Sequence, residues 1–186
     1  MRIISGTLKG RLINFLKNSN TRPLKDNVRE SIFNILQHSK FSNILLNNSH
    51  VLDLYSGIGS FGIECISRGA KKVTFIDQDE AATDILKDNL KKLSILNKSE
   101  IHVCKIEDAI AKLGKKKYNL FFLDPPFKDH DFFYNLEKIK QKKIFNIDHM
   151  VIIHREKKSK DELIEILNIL DIKNYGRSQI IFANFK

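Results

Sequence analysis

Cysteine and long apolar runs are both scarce in this chain. Its two cysteines, Cys65 and Cys104, stand far apart, without a C-x-x-C pair or a histidine at the spacing of metal ligands. This usage favours buried free thiols in a reducing cytosol and gives no indication of a metal site. No stretch approaches the roughly eighteen apolar residues of a membrane span, and the first residues contain no apolar leader. We therefore expect a soluble cytoplasmic protein that enters no membrane.

Negative charge is also in short supply. Against 32 lysines and arginines stand 22 aspartates and glutamates, so the formal net charge is +10. The first fifty residues hold eight of the basic side chains and two of the acidic ones, a balance that indicates a polyanionic partner near the N-terminus. The chain has 186 residues, enough for one domain with a substantial core. The polar stretch 40–49 predicts a junction between an N-terminal appendage, residues 1–45, and a core, residues 46–186.

The appendage is predicted to contain a short β-hairpin and a helix. Residues 2–16 alternate loosely between apolar and polar around two glycines, as a hairpin would. Residues 26–36 place apolar side chains on one helical face, and Asp26 or Asn27 can cap that helix. Basic side chains project from the hairpin and cluster where the helix begins, which suggests phosphate contacts. The candidates are Arg2, Lys9, Arg11, Arg22, Lys25 and Arg29.

The stretch VLDLYSGIGSFGIE, residues 51–64, predicts a strand, a tight loop and a helix. Its glycines fit G-x-G-x-x-G, which lets the backbone approach a pyrophosphate at a helix N-terminus. Asp53, near the end of the strand, would repel that pyrophosphate by roughly 3 kcal/mol at about 5 Å and an effective dielectric constant of about 20. The same carboxylate would attract the ammonium and sulfonium groups of S-adenosylmethionine. Ser56, Gly57 and Gly59 would then hold this cofactor; nicotinamide binding and a purely structural turn are the alternatives.

Further carboxylates follow at the ends of the next two predicted strands. Asp77 lies twenty residues beyond Gly57, at the end of KKVTFID, which is the spacing at which an acidic side chain reaches a ribose diol. Asp79 precedes the next helix and is predicted to cap it. After the strand EIHVCKI come Glu107 and Asp108, and either could accept a hydrogen bond from the adenine amino group. Capping of the following helix is the other interpretation of this pair, and the two roles do not exclude each other.

The fourth predicted strand, YNLFFLD, is almost continuously apolar, as a buried parallel strand is. It ends in Asp124, Pro125, Pro126 and Phe127. Because ligands of open α/β sheets bind at the carboxyl ends of the strands, this tetrapeptide is expected beside the glycine loop.

Beyond the tetrapeptide we predict a helix, a fifth strand in MVIIHRE and another helix through Leu163, Ile164 and Leu167. Two strands about Gly176 close the chain, and their short connection predicts an antiparallel pair at the sheet edge. The fold class is α/β: a mostly parallel seven-stranded sheet with an antiparallel edge hairpin, plus the small N-terminal hairpin and helix.

The tetrapeptide D-P-P-F after a buried strand resembles motif IV of methyltransferases that act on exocyclic amino groups, and D-x-x-x-G-x-G resembles motif I of the Rossmann-like methyltransferases. RIISGTLKGR and TRPLKDNVRESIFN resemble the N-terminal segments of the RsmD-type 16S ribosomal RNA guanine-N2 methyltransferases, and the likeness covers nearly the whole chain. The resemblance implies a Rossmann-like fold, S-adenosylmethionine, a guanine of 16S ribosomal RNA and no metal. The matching positions of the second segment are Arg22, Pro23, Asp26, Val28, Arg29, Glu30, Phe33 and Asn34.

In such an enzyme we expect Asp124 and the Pro125 carbonyl to accept the two N–H bonds of the guanine amino group. Pro125 and Pro126 keep the segment extended and add no competing N–H, while Phe127 would stack on the base. Asp124 would also lie beside the cofactor. The six basic residues of the appendage would hold phosphates of 16S ribosomal RNA or of the small-subunit assembly particle, on which the protein would act as a monomer.

Two other functions are compatible with parts of this pattern. An adenine-N6 DNA methyltransferase also uses an acidic residue or asparagine before Pro-Pro-aromatic, but such enzymes usually carry a larger target-recognition region than these fifty basic residues. A ribosome-assembly factor that binds RNA without catalysis would have no need of Asp53, Asp77 and Asp124 at three strand ends.

Overall fold

The computed structural model describes residues 1–15, 24–41, 46–129, 131–157 and 163–186. Seven strands form one sheet in the order β3-β2-β1-β4-β5-β7-β6. β1 to β5 run parallel, and β7 pairs antiparallel with both β5 and β6. This confirms the predicted α/β fold with its antiparallel edge pair. The strands are β1 His50–Leu54, β2 Lys72–Asp77, β3 Ser99–Val103, β4 Tyr118–Leu123, β5 Phe145–Glu156, β6 Leu167–Tyr175 and β7 Ser178–Phe185; the helices are α1 Asp26–His38, α2 Ser60–Ser67, α3 Glu80–Lys92, α4 Ile106–Lys112 and α5 Phe132–Lys142.

Helices cover both faces of the sheet, because successive residues of each strand point to opposite sides. One face packs against α1, α2 and α3, and Phe61 of α2 stacks between Phe33 and Phe122 with ring centroids 5.1 and 3.9 Å away. The other face packs against α4 and α5 through residues such as Phe121 and Leu136. The central parallel strands β1, β2 and β4 are thus buried on both sides, as the apolar sequence of β4 predicts.

The N-terminal segment is fastened to the same core. Its predicted hairpin is reduced to one antiparallel bridge between Arg2 and Leu12. Beside that bridge, the buried carboxylate of Glu64 accepts the backbone N–H groups of Ile4 and Ser5 at 2.8 and 2.9 Å. These charge-assisted bonds, together with burial of the N-terminal apolar side chains, attach the segment to α2.

Two local predictions are wrong. The segment through Leu163 and Ile164 makes only a single 3₁₀ turn, and β6 begins at Leu167 because this stretch pairs with β7. Helix α1 begins at Asp26 after Lys25, without a capping side chain. The predicted cap by Asp26 or Asn27 is therefore absent, and the Asp26 carboxylate pairs with Arg29 at 3.0 Å instead.

Some expectations fall outside the described residues. Arg22, Pro23 and part of the 40–49 junction are among them. None of the described helices is long and apolar enough to cross a membrane.

Candidate active-site cleft

A cleft of about 840 Å³ opens at the carboxyl ends of the parallel strands. Its walls are formed by the loops that follow different strands, as the doubly wound topology requires. Phe15 and Leu24 of the N-terminal segment add an apolar margin. The residues at the strand ends include Ser56 and Gly57 after β1, Asp77 to Asp79 at and after the end of β2, Lys105 to Glu107 after β3, Asp124 to Phe127 after β4, and His154 in β5.

The glycine loop contains two glycines with left-handed backbone angles. Gly59 has φ +79°, and a Cβ there would lie 2.3 Å from the Leu86 side chain, so only glycine fits. Gly57 has φ +51°, but a Cβ there would meet no atom within 4 Å, because this part of the loop faces open space. The loop therefore offers bare backbone to a ligand.

Asp77 links the glycine loop to the next loop. Its Oδ2 accepts the Gly57 N–H at 2.6 Å, and its Oδ1 accepts the Asp79 N–H at 2.9 Å. Burial raises the pKa of Asp77, and these backbone hydrogen bonds oppose the rise. Asp79 caps α3 through the Ala82 N–H at 3.1 Å, which confirms the predicted cap. Asp77 is thus oriented at the cleft wall with lone pairs left for a further donor.

Asp53 lies beneath the loop rather than on the cleft wall. It is 1% exposed and accepts the Gly62 N–H, in the first turn of α2, at 2.9 Å. Burial raises its pKa well above the usual carboxyl value. Asp53 is not among the residues that line the cleft. The proposed preference of its carboxylate for a cationic cofactor over a pyrophosphate therefore stays a prediction.

The two candidates for adenine recognition in the loop after β3 differ in position. Glu107 lines the cleft, whereas Asp108 is exposed and lies off it. Neither caps α4, whose N-cap residue is Lys105 without a side-chain hydrogen bond. The capping interpretation is therefore wrong for both.

The loop after β4 is held from the neighbouring strand β5. His154 Nδ1 lies 2.8 Å from Asp124 Oδ1. Because an ionised carboxylate only accepts, this bond places a proton on Nδ1. Arg155, buried against the ring of Phe132, donates to the carbonyls of Pro126 and Phe127 at 3.1 and 3.2 Å. Strand β5 therefore fixes both the carboxylate and the backbone of the tetrapeptide.

Sequence reasoning missed His154 and Arg155. The signal was the polar pair at the carboxyl end of the apolar strand MVIIHRE. It could be interpreted only once β5 was known to lie beside β4.

Two buried polar atoms around the cleft have no partner among the described residues. They are Ser56 Oγ and Asn135 Oδ1. Asn135 Nδ2 donates to the hydroxyl of Tyr55 at 3.2 Å, and all three residues line the cleft. Since unsatisfied buried polar atoms are uncommon, these two fit a site that is completed by a polar ligand. Tyr55 and Asn135 carried no recognisable signal in the sequence.

The basic residues of the appendage divide into two groups. Arg2, Lys9, Arg11 and Lys25 are exposed. Arg29 is 1% exposed and donates to the Arg2 carbonyl at 2.7 Å. The expected phosphate contact of Arg29 is therefore wrong, because its guanidinium supports the fold. Arg22 lies outside the described residues.

Neither cysteine is near a metal-binding arrangement. Cys65 is buried and Cys104 half-buried, both as free thiols. Within the described ranges, no three His, Cys, Asp or Glu side chains are grouped to hold a metal ion.

Comparison with known proteins agrees with this geometry. The family model described as conserved hypothetical protein 95 matches residues 1–184. Ribosomal RNA small subunit methyltransferase D of Buchnera aphidicola subsp. Acyrthosiphon pisum is 35% identical over 156 residues, which are 84% of this chain and 78% of that protein.

Solved structures share the fold. A conserved hypothetical protein from Streptococcus pyogenes is 28% identical with a TM-score of 0.73, over 84% of this chain and 95% of that one. The structure of yhhF from Escherichia coli superposes with a TM-score of 0.83 at 23% identity, over 100% of this chain and 98% of that one, and so supports the fold alone. With a family match over residues 1–184 and a Rossmann-like sheet whose loops build this cleft, the chain belongs to the conserved hypothetical protein 95 family, the RsmD-type methyltransferases.

Proposed function

We propose that this protein transfers a methyl group from S-adenosylmethionine to the exocyclic N2 amino group of a guanine in 16S ribosomal RNA. The observation that carries the proposal is the tetrapeptide beginning at Asp124, which His154 and Arg155 hold in the same cleft as the glycine loop and Asp77. This arrangement supports binding of a methyl donor and an amino group within one cavity. The name of the Buchnera relative supports ribosomal RNA of the small subunit as substrate.

The cofactor residues fit S-adenosylmethionine on three observations. Asp77 has lone pairs left for a ribose diol, Glu107 can accept from the adenine amino group, and the bare backbone at Gly57 lets the ligand approach closely. Gly59 is buried against Leu86 and does not line the cleft, so it shapes the loop without contacting the ligand. The unpaired Ser56 Oγ offers a further polar partner. When bound, this cofactor supplies an electrophilic methyl group on a sulfonium. Asp53 acts indirectly by supporting α2, and Asp108 has no place at the cleft.

The acceptor side requires orientation more than strong basicity. A guanine amino group is a poor nucleophile, because its lone pair is delocalised into the ring. Asp124 keeps Oδ2 for one substrate N–H while His154 occupies Oδ1. Arg155 donates hydrogen bonds to the carbonyls of Pro126 and Phe127. No described group donates to the Pro125 carbonyl, so this carbonyl is left to accept the second substrate N–H. Two acceptors so placed turn the lone pair of the nitrogen toward the methyl group.

Phe127 would form one wall for the target base. Its ring lies edge-on to His154, with centroids 5.8 Å apart, and it lines the cleft. Stacking on an aromatic ring is a general way to hold a base that has been drawn out of its RNA context.

The N-terminal appendage, residues 1–45, would contact the RNA while residues 46–186 perform the transfer. Arg2, Lys9, Arg11 and Lys25 are exposed and available for phosphates, and we assign the same role to Arg22. We propose that the protein does this in the cytoplasm as a monomer.

Nucleoside mass spectrometry tests the proposal. Small-subunit RNA or particles lacking the modification, incubated with protein and S-adenosylmethionine, should yield N2-methylguanosine, and Asp124→Ala should serve as the inactive control. N6-methyladenosine in a DNA substrate would instead identify an adenine methyltransferase. RNA binding without any methylated nucleoside would identify an assembly factor.

A further inference from the structure

Lysines precede four of the five parallel strands. They lie where these strands begin, on the side of the sheet opposite the cleft. Because these strands are parallel, all their N-terminal ends lie along one edge. We call this surface the lysine edge. It comprises Lys71 and Lys72 before and at the start of β2, Lys98 before β3, Lys115, Lys116 and Lys117 before β4, and Lys142 and Lys143 before β5.

Contacts between neighbouring strands bring these lysines together. The Glu100 carboxylate lies 3.9 Å from the Lys72 ammonium and 3.5 Å from that of Lys116. At the next position, the Tyr118 N–H donates to the Ile144 carbonyl at 2.9 Å, so the ends of β4 and β5 are adjacent. The edge is therefore one continuous surface.

The lysine edge is poorly neutralised. Glu100 is shared between Lys72, Lys116 and His102. Within the described residues, no ion pair involves five of the exposed lysines. These are Lys71, Lys98, Lys115, Lys117 and Lys143.

A local structural role explains only part of this charge. Lys142 donates to the carbonyls of Ile110, Ala111 and Leu113 at 2.7, 2.9 and 2.9 Å, and so satisfies the C-terminus of α4. His50 lies within the edge, and its pKa is lowered first by burial and then by Lys116, Lys71 and Lys72. Of the other lysines, Lys72 and Lys116 share Glu100, and the five named above have no ion-pair partner among the described residues.

The cleft carries the opposite charge. Six carboxyl groups line it: Asp77, Asp79, Glu107, Asp124, Asp129 and Asp131. An RNA backbone is repelled rather than attracted there. Attraction of a polyanion by a protein of net charge +10 must come from other surfaces.

We propose that the lysine edge is a second RNA-contacting surface, which binds phosphates of the folded substrate away from the target base. The inference rests on RNA being the substrate. Strands of this length span about 17–20 Å, so a short oligonucleotide with its base in the cleft does not reach the edge. A folded RNA domain that passes around the protein does.

Salt-dependent binding tests the proposal without requiring methyl transfer. The variant is Lys71→Gln, Lys115→Gln, Lys117→Gln, and the matched control is Lys87→Gln, Lys138→Gln, Lys173→Gln, which removes the same charge elsewhere. Binding of a folded 16S RNA domain and of a short single-stranded guanine-containing oligonucleotide is measured over a range of salt concentrations. Binding of S-adenosylmethionine by each variant checks that the fold is intact.

Each phosphate contact contributes about 0.7 to 0.9 to the slope of log affinity against log salt. For the folded domain, the edge variant should flatten the slope by about 2 and the control variant by much less. For the oligonucleotide, the two variants should not differ. Equal slopes for both variants on the folded domain would overturn the proposal while leaving methyl transfer untouched. Transfer that fails while the edge variant still flattens the slope would remove the proposed enzyme activity alone.

Discussion

The two ends of the parallel strands differ in charge and in the way their side chains are held. At the carboxyl ends, Asp77 accepts backbone N–H groups at 2.6 and 2.9 Å, and Asp124 is bonded to His154 at 2.8 Å. At the amino ends, lysines such as Lys115 and Lys117 are exposed, and among the described residues no carboxylate pairs with either. Methyl transfer requires fixed acceptors, because the lone pair of the nitrogen must be aligned. Attraction of phosphates requires only charge, so exposed and unpaired side chains are sufficient there.

Of the variants considered, removal of the Asp124 carboxylate should have the largest effect on methyl transfer. Asp124→Ala should raise the barrier to transfer by at least about 3 kcal/mol, comparable to the loss of an oriented transition-state hydrogen bond. Asp124→Asn keeps an acceptor oxygen and should lose less. Single-turnover methyl transfer at saturating cofactor measures both. Equal losses would mean that charge, and hence proton removal, matters more than positioning.

Variants of His154 can distinguish a role in positioning Asp124 from a role in packing alone. Asparagine can place its amide N–H near the Nδ1 position, whereas glutamine reaches toward the Nε2 position. His154→Gln should therefore raise the barrier to transfer by about 1.5–3 kcal/mol, the range for a hydrogen bond to a charged group, and His154→Asn should recover part of that loss. The readout is the single-turnover rate, with cofactor affinity expected to be unchanged. Identical rates for the two variants would show that His154 only fills space.

Asp77 and Asp108 provide a comparison at the cofactor end. Asp77→Ala should weaken S-adenosylmethionine binding by about 1.5 kcal/mol, the contribution of a hydrogen bond to a charged group. Asp108→Ala should leave the affinity unchanged, because this side chain lies off the cleft. Titration calorimetry with S-adenosylmethionine, and with NAD as a ligand that should not bind, measures these effects. A loss of affinity in the Asp108 variant would move adenine recognition away from Glu107.

The smallest effect on transfer and on cofactor binding is expected at Asp53, where only the pH dependence of stability should change. Burial raises its pKa in the folded protein, while the unfolded chain titrates at about 3.9. Its contribution to stability is therefore complete below that pH and declines as the pH rises toward the folded pKa. Asp53→Asn removes this decline, so the free energy of unfolding of the variant relative to the wild type should increase from pH 4 to pH 8.

Urea unfolding across that range measures the difference. Asp108→Asn, at an exposed position, is the control and should follow the wild type. A variant that loses stability relative to the wild type as the pH rises would show that Asp53 is charged in the folded protein.

The glycine loop, Asp77 at the end of β2 and the Asp-Pro-Pro-Phe segment after β4 could all be located from the sequence. Each depends on signals within a few residues: an apolar strand, a turn that requires glycine, and a polar residue where the strand ends. The order of these local units then determines a sheet with its ligand site at the carboxyl ends. The sequence by itself thus determined the fold class and the strand ends at which the cleft is formed.

The tertiary structure decided what each charge does. Asp53 and Arg29 look like ligand-binding groups in the sequence, yet both are 1% exposed, because burial depends on elements packed over them from distant parts of the chain. The contact from His154 to Asp124 joins residues thirty positions apart. The strand at Leu167 replaces a predicted helix because β7 supplies its hydrogen bonds. Burial, strand order and cross-strand pairing are all non-local, and local patterns of residues do not specify them.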